Sequence, residues 1–78
     1  MNQERPLFAI AHDIKRYWPN VNYAAKPYLD TMSKMNSVND TFYADDGRTV
    51  VLYFLANAQS FRGEDAKRIK AELKRMVA

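Results

Sequence analysis

The stretch Val50-Val51-Leu52-Tyr53-Phe54-Leu55-Ala56 runs seven apolar residues without a break in a chain of only 78. Such a segment has to leave water, and a chain this short offers one thin core to receive it. Domains near this size bury only about 60% of the surface their unfolded chains expose. The run is far short of the roughly 20 residues a membrane helix needs. A buried helix and a buried strand both lack polar alternation, so periodicity alone does not separate them. Read as strand, the run pairs with Thr41-Phe42-Tyr43 across the Asp46-Gly47 turn, giving an α+β chain with a hairpin at 41–55. Read as helix, Gly47 is a loop residue and Thr49 the N-cap of a helix over 49–58. Two points favour helix: a half-buried hairpin should alternate and this run does not, and an isolated two-stranded hairpin leaves two unpaired edges on a very small protein.

The remaining pattern is helical. Pro6 suits a first helical position, where its missing N–H is not needed. Leu7, Ile10, Ile14 and Tyr17 then recur at three- and four-residue steps, with Ala11 on the same stripe. Pro19 disfavours helix at Trp18, so the first helix spans about 6–17. Ala25, Tyr28, Leu29, Met32 and Met35 keep helical spacing over about 24–36, with Asn22 as N-cap and Pro27 tolerated near the first turn. Asn36-Ser37-Val38-Asn39-Asp40 is rich in side chains that bond their own backbone, and reads as a turn. Ala66, Ile69, Leu73, Met76 and Val77 form the stripe of a last helix capped by Ser60, with Gly63 marking a close backbone contact or a bend where that helix begins. The expected fold is all-α, a compact bundle of four short helices forming one small domain over 1–78; the alternative is α+β with the hairpin at 41–55.

Composition excludes several functions. The hydrophobic share of 47% is too high for a disordered chain of modest charge. With no cysteine there is no disulfide framework, thiolate nucleophile or Cys-based zinc site. The lone histidine, His12, shares a helix face with Phe8 and Arg16, a poor setting for a general base or metal ligand. Asp40, Asp45, Asp46 and Gly47 have a superficial likeness to a calcium loop, but Phe42 and Ala44 stand where an EF-hand places ligands. The two glycines cannot build a phosphate-cradling loop. The chain reads as non-enzymatic, with no cofactor and no metal.

Net charge is +3, and its placement is uneven. Residues 1–59 balance six cations with six carboxylates; residues 60–78 set Arg62, Lys67, Arg68, Lys70, Lys74 and Arg75 against Glu64, Asp65 and Glu72. Basic side chains on a last helix either complement its dipole and keep it solvated, or meet phosphates and acidic surfaces.

A resemblance attaches to these same segments. Val50-Val51-Leu52-Tyr53-Phe54-Leu55-Ala56-Asn57-Ala58, then Phe61-Arg62-Gly63-Glu64 and Ala66-Lys67-Arg68-Ile69-Lys70-Ala71-Glu72-Leu73, resemble a family of small uncharacterised phage and prophage proteins. The segments around Ile10 to Trp18 and Pro27-Tyr28-Leu29-Asp30 are similar too. The likeness covers about Ile10 to Met76 and rests on helical strings rather than a catalytic signature. It implies a phage-related origin and a helical fold, and carries over no functional residue. Phe61 departs from the Trp usual there.

What remains is binding. Ten aromatics are more than four short helices easily hide. Either they fill a core short of volume, or an exposed cluster marks a partner or homodimer surface. Trp18 at a helix end and Phe42-Tyr43 in a loop are the expected exposed members. The leading expectation is a phage-related binding module that occupies a host protein, in host takeover or inhibition of a defence enzyme, through Trp18, Phe42, Tyr43 and Arg62. The alternative is a nucleic-acid binder using Lys67, Arg68, Lys70, Lys74 and Arg75. A homodimer would add burial to a thin core. The opening Met1-Asn2-Gln3-Glu4-Arg5-Pro6 turns amphipathic at once, unlike a signal peptide, which points to an intracellular protein with no membrane role; the resemblance implies that the compartment is the cytoplasm of a bacterial host.

Overall fold

The computed structural model describes residues 5–42 and 45–78. Its elements run α1 (Leu7–Tyr17), α2 (Lys26–Met32), β1 (Thr41–Phe42), β2 (Asp45–Asp46), α3 (Gly47–Ala56) and α4 (Glu64–Val77). The all-α bundle is therefore the architecture, with α1 packed on α2, α2 on α3, α3 on α4, and α4 back on α1. The hairpin alternative survives only as a miniature pairing of Thr41 with Asp46 and Phe42 with Asp45; the apolar run beyond it is helix.

Each helix begins for a local reason. Pro6 stands just before α1 in an extended conformation rather than inside it. The first two N–H groups of α1 donate to backbone carbonyls, Leu7 to Asn36 at 3.0 Å and Phe8 to Met35 at 2.9 Å. At the other end Trp18 leaves the helix, as Pro19 requires. The second helix is shorter than the spacing of its apolar residues suggests. Asn22 serves the turn before it, its carbonyl accepting from Ala25 at 2.9 Å and Lys26 at 3.1 Å. After Met32 the chain tightens into three-residue steps, Lys34 N–H to Thr31 at 3.0 Å and Met35 N–H to Met32 at 3.1 Å. That tightening brings the carbonyls of Met35 and Asn36 to the start of α1.

The 36–40 segment is a turn braced by its own side chains. Asp40 accepts from the N–H groups of Asn36 at 2.8 Å and Ser37 at 3.2 Å. Its carbonyls in turn receive the first N–H groups of α3: Gly47 donates to Asp40 at 2.8 Å and Arg48 to Val38 at 2.9 Å. The N-cap of α3 is Asp46, whose carboxylate accepts from Thr49 N–H at 2.8 Å, so Thr49 lies inside the helix rather than capping it. That bond holds the Asp46 carboxyl below its ordinary range. Gly47 is a point of contact rather than a free loop residue: a β-carbon there would stand 2.6 Å from the Ser37 carbonyl oxygen and 2.7 Å from the Val38 α-carbon. The start of α4 differs again. Gly63, not Ser60, precedes it, at φ +114° with open space around it, so this glycine makes a bend and no close contact.

The core is continuous through the ring of helices. Leu7, Ile10 and Ile14 of α1 meet Leu29 and Met32 of α2, Val51 and Phe54 of α3, and Ile69 and Leu73 of α4. Among the described residues no helix is long and apolar enough to cross a membrane. The α1–α4 seam is closed by charge. Arg5 donates to Glu72 through Nε at 3.0 Å and Nη2 at 2.8 Å, and to Asp13 through Nη1 at 2.6 Å. These bonds hold both carboxyls below their ordinary values of 3.8 and 4.5, and push the guanidinium pKa up.

Two outcomes follow from this architecture. Gly47→Ala should lower stability by about 1–3 kcal/mol, because backbone atoms on both sides have to move; an unchanged urea midpoint would contradict the close approach. Arg5→Ala should cost about 1–2 kcal/mol at neutral pH, less than a fully buried pair because the Arg5 side chain keeps 35% exposure. Both carboxyls are depressed in the folded state, so their stabilisation is complete above about pH 5 and is lost as pH falls through the folded pKa values. The gap between wild type and Arg5→Ala in denaturant melts should therefore close below about pH 4. A gap unchanged at pH 2 would mean that Arg5 acts by packing alone.

Candidate functional site

The side chains expected to form a protein-binding patch do not come together. Trp18 is buried, not exposed: its ring stacks on Phe61 with centroids 5.1 Å apart and meets the edge of Phe54 at 6.2 Å. Pro19 ends α1 at Tyr17 and frees Trp18 to fold over the core, where Phe61 receives it. Phe61 is the other half of that stack. The side chain of Phe42 and the whole of Tyr43 lie outside the described residues. Arg62 is exposed, with Nε donating to the Gln59 carbonyl at 3.3 Å.

The surface holds other aromatics instead. Tyr23 is 91% exposed and Tyr53 is 53% exposed. The Tyr53 ring lies 5.4 Å from that of Tyr28, across the α2–α3 seam. Leu52, beside Tyr53 on α3, is half exposed. Asn22 ties the turn carrying Tyr23 to the end of α3, its amide donating to the Asn57 carbonyl at 3.1 Å. Asn57 in turn donates its own amide to the Tyr53 carbonyl at 2.9 Å. Tyr23 and Pro27 also border a shallow cavity of about 380 Å³ with Lys26 and Asp30. Sequence reasoning missed Leu52 and Tyr53 because they sit inside an unbroken apolar run. Helical spacing from Val50, Val51 and Phe54 was the available signal, since it turns position 53 to the flank and 52 outward.

The basic side chains of α4 divide between two flanks. Lys67, Lys70 and Lys74 lie on one side, at steps of three and four residues. Lys70 is part-buried with its ammonium 5.7 Å from the Phe61 ring centroid. Burial, then Lys74, then Arg62 push its pKa down. Arg48 of α3 extends this flank, donating through Nη1 to the Val77 carbonyl. The opposite flank carries Arg68 and Arg75 with Asp65 and Glu72 beside them. Arg68 pairs with Asp65 at 3.2 Å and approaches the Tyr17 ring at 6.0 Å.

A third feature is the open cleft of about 600 Å³ on α1, lined in part by Phe8, His12, Asp13 and Ser33. Its polar groups have other duties: Asp13 serves Arg5, and the Ser33 hydroxyl donates to the Asp30 carbonyl at 2.5 Å. Among the described residues no three His, Asp or Glu side chains gather as a metal-holding group. The acids once read as a loop serve the backbone, Asp40 in its turn and Asp46 as a cap. Comparison with known protein families, curated proteins and solved structures returns no match.

Proposed function

We propose that this chain is a small non-catalytic binding module that occupies the surface of a partner protein through the tyrosine face of α2 and α3. The supporting observation is the contrast among its aromatic rings. Trp18, Phe54 and Phe61 are buried together, whereas Tyr23 and Tyr53 stand in solvent on neighbouring segments beside half-exposed Leu52. Tyrosine presents a large rigid ring at little rotamer loss and keeps a hydroxyl for the partner, which is why it dominates interface hot spots. The sequence resemblance to phage and prophage proteins supports a partner in the cytoplasm of a bacterial host. Host takeover or inhibition of a defence enzyme suits a module of this size.

The test uses three immobilised baits in a bacterial lysate: wild type, Tyr23→Ala/Tyr53→Ala, and Lys67→Ala/Lys74→Ala. The tyrosine variant keeps its fold, since both rings are largely solvated and the lost Tyr28 contact costs only about 0.5–1.5 kcal/mol. The expected result is a stoichiometric protein retained by wild type and by the lysine variant, with retention at least about tenfold weaker on the tyrosine variant. Background alone on wild type, or equal retention by the tyrosine variant, would overturn the proposal.

A further inference from the structure

None of the ion pairs among the described residues involves Lys67, Lys70 or Lys74 of α4. Two of the three carboxylates in the last segment are committed, Glu72 to Arg5 at 2.8 Å and Asp65 to Arg68 at 3.2 Å. The third, Glu64, is in the first turn of α4, where it complements the helix dipole. None is paired with Lys67, Lys70 or Lys74, and the charges acting most on Lys70 are the cations Lys74 and Arg62. With Arg62 before the helix and Arg48 held at its far end, the row runs the length of α4, about 21 Å for 14 residues. Like charges collected in this way repel one another in the free protein, and a polyanion removes that repulsion.

The partner can be narrowed by what lies between the two basic flanks. Lys67 and Lys74 border one side of the solvent face of α4, Arg68 and Arg75 the other, and the line between them carries Ala71, with Glu64 at its N-terminal end. An interface with an acidic protein gains most of its strength from a desolvated aromatic or aliphatic anchor near its centre, whereas the exposed ring beside this face, Tyr17, lies at its edge, 6.0 Å from Arg68. A phosphate backbone needs only cations. Cations on both flanks of a helix about 10–12 Å across match two phosphate strands bordering a groove about 12 Å wide. Single strands call instead for aromatic stacking platforms, which the tyrosine face places elsewhere. The methyl group of Ala71 offers no hydrogen bond to a base edge.

We propose that α4 binds duplex DNA along its phosphate backbone without reading sequence. Anisotropy titrations of two labelled duplexes of unrelated sequence, at 50 and 200 mM salt, test this. The expected result is binding at 50 mM that agrees within about threefold between the duplexes and weakens about a hundredfold at 200 mM, as four phosphate contacts require. In Lys67→Ala/Lys74→Ala, both side chains being exposed, the log–log salt slope should fall by about 2 while the circular dichroism spectrum is unchanged. The variant Tyr23→Ala/Tyr53→Ala should bind DNA as wild type does, which keeps this outcome separate from the protein-binding reading. Absence of binding at 50 mM, an unchanged slope in the lysine variant, or a preference for single strands would overturn the proposal. So would equal displacement by polyglutamate at matched charge, which would assign the face to an acidic protein.

Discussion

Four carbonyl groups in the segment between α2 and β1 accept the opening N–H groups of two different helices. Met35 and Asn36 receive those of α1, and Val38 and Asp40 receive those of α3. A helix leaves its first N–H groups without intrahelical partners, and an unsatisfied one that is buried costs about 1–3 kcal/mol. One six-residue stretch therefore sets where two of the four helices start and how far apart they lie. The requirement propagates to Gly47, whose α-carbon is pressed so close to Ser37 and Val38 that a methyl group does not fit. It also limits α2, which has to end at Met32 for Met35 and Asn36 to reach α1.

The aromatic cluster closes the fold on the same economy of length. Trp18, freed from α1 by Pro19, stacks on Phe61 from the α3–α4 connection and touches Phe54 of α3. These rings join the end of α1 to the α3–α4 region, more than thirty residues away in the chain. The seam between α1 and α4 lacks such a ring cluster and is held by Arg5 on Glu72 and Asp13. Among the side chains that core and seam leave outward are Tyr23 before α2, Tyr53 on α3 and the cations of α4. The proposed activities rest on those remainders.

The helices were legible in the sequence because their apolar residues recur at 3.6-residue spacing over two or more turns, as in Leu7, Ile10 and Ile14 or Ala66, Ile69 and Leu73. The apolar run around Phe54 was harder, and the absence of alternation rightly favoured helix over hairpin. The starts of helices were read less well. Thr49 and Ser60 have capping side chains, yet Asp46 and Gly63 hold those positions, because tertiary contacts with the 36–40 turn and a bend in the chain decide them. Trp18 looked exposed from its place at a helix end; only the position of Phe61, 43 residues later, explains its burial. The basic side chains of α4 were visible as a group. Which carboxylates are left for them was not, since Glu72 is taken by Arg5 from the other end of the chain and Asp65 by Arg68.

The central claim is that this molecule has two separate working faces, with nucleic acid confined to the solvent face of α4. Amide chemical-shift mapping during titration with a short duplex tests it most directly. The account predicts perturbations at Lys67, Arg68, Ala71, Lys74 and Arg75, with Tyr23, Tyr28 and Tyr53 unmoved. Perturbations centred on the tyrosine face, or a spectrum unchanged at low salt, would contradict it.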